Sequence, residues 1–153
     1  MKRIAIILLL AAALPALADR VPLPANTPAS YQAECSSCHM AYQPALLSAN
    51  DWRRTMAGLK DHFGTDATVD GPAGQEIASF LERNAGNAGK LGSAGEPPRI
   101  TQTARFIRKH REIPAKYWKD PSIKSAANCE ACHRGAADGN YSEHDILIRE
   151  LRR

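Results

Sequence analysis

The sequence predicts an all-α fold, and three observations carry that reading. No stretch of any length alternates apolar and polar residues at period two, as a half-buried strand would. Apolar residues instead recur at helical spacing: Leu47, Trp52, Met56, Leu59 and Phe63; then Ile77, Phe80 and Leu81; then Phe106 and Ile107. Finally, the chain carries two copies of Cys-x-x-Cys-His, Cys35-Ser36-Ser37-Cys38-His39 and Cys129-Glu130-Ala131-Cys132-His133, in contexts that suit short helices.

In chain order, Lys2 and Arg3 precede a nearly unbroken aliphatic and Ala run over 4–14, and Ala16-Leu17-Ala18 supplies a small-x-small cleavage site before Asp19. Residues 1–18 therefore read as a secretory signal peptide. The apolar run is also shorter than the roughly 20 residues that a bilayer-spanning helix needs. Pro and small residues over 21–30 predict an extended lead-in. A short helix follows over 31–39, then a helical stretch over 44–63, interrupted by a cap near Asn50 and Asp51. A loop spans 64–71, and 74–84 predicts another amphipathic helix. The Gly-rich stretch 86–99, with Pro97-Pro98 near its end, reads as a linker between an N-terminal lobe, 19–85, and a C-terminal lobe, 100–153. In the second lobe, 101–111 predicts a basic helix, Pro114 opens a short turn through Trp118, 125–133 carries the second motif, and 142–151 closes the chain as a helix. A helix bearing a lone His follows the motif in the first lobe and precedes it in the second, which does not support tandem duplication.

Cys-x-x-Cys-His is the attachment signature of a c-type haem. Two thiols three positions apart reach the two vinyl groups on one porphyrin edge, and the adjoining imidazole falls beneath the iron. Cys35, Cys38, Cys129 and Cys132 are the only cysteines in the chain, so the motifs absorb all of its thiol chemistry. A thioredoxin-type dithiol expects a βαβ context that these flanks lack. A four-thiolate zinc site expects its pairs roughly 15–20 residues apart, not most of a chain apart. The fold expected is thus short helices packed around two covalently bound haems. Such groups would offset the shortage of aromatics, and without them the chain should fold poorly. Haem attachment and export together point to the periplasm.

His39 and His133 take one side of each iron, and the group on the other side decides between electron transfer and small-molecule binding. Three His remain. His62 lies one helical turn after Gly58, whose missing side chain would let a porphyrin approach, with Trp52 and Leu59 as cover. His110 ends a helix crowded with Arg105, Arg108, Lys109 and Arg111, where a metal-bound neutral imidazole avoids repulsion, and Phe106 and Ile107 could cover the second ring. His144, beside Glu143 and Asp145, reads as a surface imidazolium and is the runner-up for the second haem. Met40 is too near His39 to cross the ring, and Met56 reads as core.

The formal charge of +4 falls to +2 once Lys2 and Arg3 are removed, and no concentrated basic face of the kind that binds nucleic acid is evident. The basic residues between Arg105 and Lys119 suit either a solvated helix face or a docking surface for an acidic redox partner.

Several segments resemble one family. Tyr31-Gln32-x-Glu34-Cys35-x-x-Cys38-His39-Met40-Ala41-Tyr42, Leu59-x-x-His62-Phe63-Gly64-Thr65-Asp66-Ala67, Arg108-Lys109-His110-Arg111-Glu112, and Asn128-Cys129-x-x-Cys132-His133 with Tyr141-Ser142-Glu143-His144 are similar to the small periplasmic dihaem cytochromes c, the DHC family. The resemblance covers nearly all of the chain after residue 18. It implies two covalently attached bis-His haems and electron transfer. It also implies as partners a membrane-bound b-type cytochrome and, in some systems, a small oxygen-binding monohaem cytochrome c. Both His110 and His144 match the pattern. One departure is the C-terminus, where a Val-x-Ile-Pro type tail is replaced by Ile146-Leu147-Ile148-Arg149-Glu150. The function expected is an electron carrier without substrate turnover; the alternative is a haem enzyme or sensor with one open iron for oxygen, nitric oxide or peroxide.

Overall fold

The structure, a computed structural model, describes residues 19–152; the signal peptide expected over 1–18 lies outside the described residues. Six α-helices make up the frame: α1 (Ala29–Cys35), α2 (Ala49–Ala57), α3 (Gly71–Arg83), α4 (Ala88–Leu91), α5 (Ala104–His110) and α6 (Ala115–Trp118). Single 3₁₀ turns at Pro44–Leu46, Leu59–Asp61, Ile100–Gln102, Cys129–Ala131, Glu143–Asp145 and Arg149–Leu151 fill the connections. Among the described residues β-pairing is confined to isolated bridges, such as His62 with Thr65 and His133 with Ile146. The all-α expectation holds.

The stretch 44–63 is three pieces rather than one helix. Ser48, not Asn50 or Asp51, caps α2, its hydroxyl accepting from the Asp51 amide at 3.2 Å. Gly58 is the residue that ends α2, its amide donating to the Arg54 and Thr55 carbonyls. It therefore stands at the end of a helix and not inside the one expected to carry His62. The chain then reverses after His62 through Phe63 and Gly64, both at positive φ (54° and 91°), a conformation that glycine adopts readily.

Helices α1, α2 and α3 pack around Tyr31, Ala41, Leu47, Trp52, Ile77, Phe80, Leu81 and Ala94. Apolar positions three and four apart on α3 put Ile77, Phe80 and Leu81 on one face, and all three are fully buried. Tyr31 meets Phe80 with ring centres 5.1 Å apart. Trp52, read from sequence as cover for a porphyrin, belongs to this core instead, its indole N–H donating to the Pro44 carbonyl at 2.7 Å. Residues 86–99 carry α4, bury Leu91 and Ala94, and tie to α2 through a bond from Arg54 to the Gly95 carbonyl.

Residues 104–152 are less regular. The second motif, within the stretch 125–133, sits on a 3₁₀ turn. The helix expected over 142–151 is two 3₁₀ turns separated by extended backbone at Ile146 and Ile148. Pairing with the motif accounts for the difference: Ile146 bridges His133, and the Leu147 amide donates to the Cys132 carbonyl at 2.8 Å. The start and end of the described chain meet where the Val21 amide donates to the Gly139 carbonyl at 2.7 Å. Gly139 has φ 73°, and a Cβ there would lie 2.1 Å from the Val21 carbonyl oxygen, so only glycine fits that contact.

Candidate functional site

The fold places the five histidines in two pairs and one outlier. His39 lies four residues past the end of α1, and the chain reversal at Phe63 and Gly64 turns His62 toward it. The two ring centres are 6.3 Å apart with planes inclined by 34°. In the second half, His110 on the last turn of α5 faces His133 with ring centres 6.1 Å apart and planes at 88°. His144 sits exposed on the turn Glu143–Asp145.

These spacings can be tested against a shared metal. An imidazole–metal bond of about 2.0–2.1 Å, as for zinc, and about 1.1 Å from nitrogen to ring centre put two trans rings roughly 6.3 Å apart. Both pairs match that span. Among the described residues no group of three or more His, Cys, Asp or Glu side chains could hold a bare metal ion. Two facing imidazoles would hold an iron whose other four positions a porphyrin fills, and the two motif thiols would bond that porphyrin's vinyl groups, so the residues fit two c-type haems.

The protonation of the rings agrees. The His39 Nδ1–H donates to the Met40 carbonyl at 2.7 Å and the His110 Nδ1–H to the Phe106 carbonyl at 2.9 Å, so Nε2 is the ring nitrogen each leaves free to bind metal. Burial holds His62, His110 and His133 below the ordinary imidazole range; the facing His39 and then Arg99 lower His62 further, and the facing His110 lowers His133. Neutral imidazole is the form that ligates. The His133 Nδ1 is buried without a hydrogen-bond partner.

All four cysteines are free thiols. Burial pushes Cys35 and Cys129 up to about 11, the opposite of the depressed pKa that a redox dithiol or a nucleophile needs. The thioredoxin-like alternative therefore lacks its chemical requirement.

Beside the first motif lies a groove of about 350 Å³ bordered by Gln32, Ser36, Cys38, His39 and Met40, which His62 does not line and which reaches Glu130 of the second motif. The second motif opens into a cavity of about 630 Å³ that takes in Phe106, His110, Trp118, Cys129, Cys132 and His133, with Ile146, Leu151 and Arg152 of the tail along its wall. The departing tail sequence thus still lines the second site. Phe106 stacks on His110 at 4.0 Å and 20°, with Trp118 6.2 Å from Phe106. Ile107, expected to cover the second ring, faces solvent at 57 % exposure.

Family and structural comparisons bear on the cofactor. The family model for dihaem cytochrome c matches residues 31–141. The chain belongs to the dihaem cytochrome c family. Its fold is similar to that of the diheme cytochrome c of Shewanella baltica OS155, with TM-score 0.70 and 38 % identity over 80 % of this chain and 94 % of that one. It is similar also to the DHC purified from Rhodobacter sphaeroides, with TM-score 0.65 and 40 % identity over 75 % and 97 % of the two chains. A second structure of diheme cytochrome c from Rhodobacter sphaeroides gives TM-score 0.67 and 37 % identity over 76 % and 98 %. No curated protein matches the chain. Like its family, this dihaem cytochrome carries two covalently bound c-type haems, and electron transfer is the general role of such proteins.

Sequence reasoning missed the polar bridge between the sites. Tyr42, packed on His39 at 4.8 Å, donates its hydroxyl proton to the Ala127 carbonyl at 2.6 Å. Its neighbour Gln43, fully buried, donates to the Ala136 carbonyl at 2.8 Å and the Ala137 carbonyl at 3.2 Å. The Gln43 side-chain oxygen accepts from Tyr141, whose ring meets His133 at 5.4 Å. The partners lie 85 to 98 residues apart in sequence, so no local pattern could announce them.

Proposed function

We propose that this chain is a periplasmic electron carrier in which Cys35 and Cys38 bind the first haem and Cys129 and Cys132 the second, with both irons closed by paired histidines. His39 and His62 hold the first iron; His133 and His110 hold the second. The single observation that carries the reading is the ring spacing, 6.3 Å and 6.1 Å, which suits one metal between each pair. The facing position of His110, against the exposed placing of His144, supports His110 as the second distal ligand.

The haems supply one-electron chemistry at iron. The chain's own residues keep that chemistry closed. Two neutral imidazoles per iron leave no position for oxygen, nitric oxide or peroxide, and two nitrogen ligands favour a lower potential than a Met/His pair would. Tyr42 and Gln43 draw the two motif segments together, which favours transfer between haems. No described helix is long and apolar enough to cross a membrane. Export by a signal peptide over residues 1–18 places the carrier where a membrane-bound b-type cytochrome or a small monohaem cytochrome c could exchange electrons with it.

Carbon monoxide added to the reduced protein tests this directly. The unmodified spectrum should not change. His62→Ala and His110→Ala should each open one of two irons to high-spin, carbon monoxide-binding behaviour, and His144→Ala should open neither. A carbon monoxide adduct in the unmodified protein would make the open-iron enzyme or sensor the better reading.

A further inference from the structure

Positive charge is unevenly distributed in this molecule. Residues 19–99 hold seven Lys and Arg against nine Asp and Glu; residues 100–153 hold eleven against seven. Within that second group, residues 104–119 alone carry six basic side chains and one acidic. They form α5 and α6, the elements that bring His110 to the second site. Of the six, Arg108, Lys109, Arg111, Lys116 and Lys119 are exposed. Lys109 pairs with Asp19 at 2.9 Å and Arg111 with Glu112 at 3.2 Å, but among the described residues no carboxylate pairs with Arg108, Lys116 or Lys119.

In the middle of α5 sits Ile107, the most exposed large apolar side chain described. Phe106 beside it instead packs on His110. Trp118 of α6, Phe106 and His110 form a run of aromatic rings spaced 6.2 Å and 4.0 Å. An exposed apolar side chain among cationic ones, on the helix that carries His110, suits a transient encounter: charge steers the approach and sets orientation, and a small apolar contact suffices for a complex that must dissociate quickly.

We propose that the exposed face of α5 and α6 is the docking surface for an acidic electron-transfer protein, which exchanges electrons with the second haem. This rests on the carrier reading above. One electron moves from the reduced partner to the second iron, or back, and no bond is made or broken. The first site, in the acidic part of the chain, is the internal relay and not the port.

Stopped-flow reduction of the oxidised holoprotein tests it, with reduced plant-type ferredoxin as an acidic donor and neutral lumiflavin semiquinone as an uncharged one. The ferredoxin rate should fall about tenfold between low and high salt, as steered association does. Lys116→Glu with Lys119→Glu, two side chains that do not line the second cavity, should lower the low-salt rate about tenfold and leave the lumiflavin rate unchanged. Ile107→Asp should act in the same direction. A control reversal in the first half, Arg53→Glu with Lys60→Glu, should change the ferredoxin rate less than twofold. A ferredoxin rate indifferent to salt, or slowed equally by the control pair, overturns the docking surface. So does a loss that appears with lumiflavin too, since a change in haem accessibility or potential would then explain it. These outcomes leave the carrier reading intact; that reading falls only with a carbon monoxide adduct in the unmodified protein.

Discussion

The core cluster of Tyr31, Leu47, Trp52, Ile77, Phe80 and Leu81 lies between residues 31 and 94, whereas beyond residue 104 only Ile123, Ala136 and Ile146 are buried apolar side chains. The first region could hold its shape largely by packing of α1, α2 and α3. The second has two short helices and a string of 3₁₀ turns wrapped about a cavity, and it cannot bury enough apolar surface to offset chain entropy on its own. What the difference teaches is that one haem sits against a protein core while the other must serve as the core.

Removing one haem at a time breaks the comparison if it is wrong, and carries the largest expected effect. Cys129→Ser with Cys132→Ser should abolish amide-exchange protection across residues 104–152 while α3 stays protected. Cys35→Ser with Cys38→Ser should leave the amides of α3 protected, because Ile77, Phe80 and Leu81 keep their neighbours. Hydrogen exchange read by mass spectrometry resolves the two. Equal loss in both variants would mean that the first region, too, is organised by its cofactor.

The histidine pairs differ in a second way. In the first site the motif histidine is anchored through its Nδ1–H to Met40; in the second the anchored ring is His110, through Phe106, and the motif ring His133 lacks such a partner. The planes also differ, 34° against 88°. Near-parallel axial imidazoles give low-spin ferric haem a rhombic resonance with three resolved g values; near-perpendicular ones give a single broad feature at large g. The oxidised protein at low temperature should show one signal of each kind. His62→Ala should remove the rhombic signal and His110→Ala the large-g one. Two identical rhombic signals would refute the difference in ring orientation.

The features legible in the sequence were those set by local pattern. Cys-x-x-Cys-His fixes both motifs within five residues, and the 3.6-residue period of Ile77, Phe80 and Leu81 predicts α3 closely. His62 faces His39, but Gly58, expected a helical turn before it inside the same helix, ends α2 instead. Long-range partners override propensity elsewhere. Residues 142–151 have the composition of a helix, yet pairing of Ile146 with His133 leaves two 3₁₀ turns separated by extended backbone at Ile146 and Ile148. Trp52 and Ile107, both expected to cover a ring, lie in the core and in solvent respectively, since spacing along a helix fixes relative directions but not which face meets the core. Gln43, between Tyr42 and Pro44, carries no signal at all; its importance lies in carbonyls more than 90 residues away.

Gln43 is also where the two regions are joined, and so the smallest of these effects bears on how independent they are. Its side chain spans from the first region to the Ala136 and Ala137 carbonyls and to Tyr141. Gln43→Ala strands the buried Ala136 carbonyl and the half-buried Tyr141 hydroxyl together, for which about 2–6 kcal/mol of destabilisation is expected at roughly 1–3 kcal/mol per group. Tyr141→Phe keeps the ring on His133 and the amide bonds of Gln43, and should cost only about 1 kcal/mol. Denaturant unfolding followed by far-ultraviolet signal gives both values. If the bridge makes the regions one cooperative unit, Gln43→Ala lowers a single transition. If they fold separately, the same change splits it, with the second haem's absorbance lost before the helices of the first region unfold.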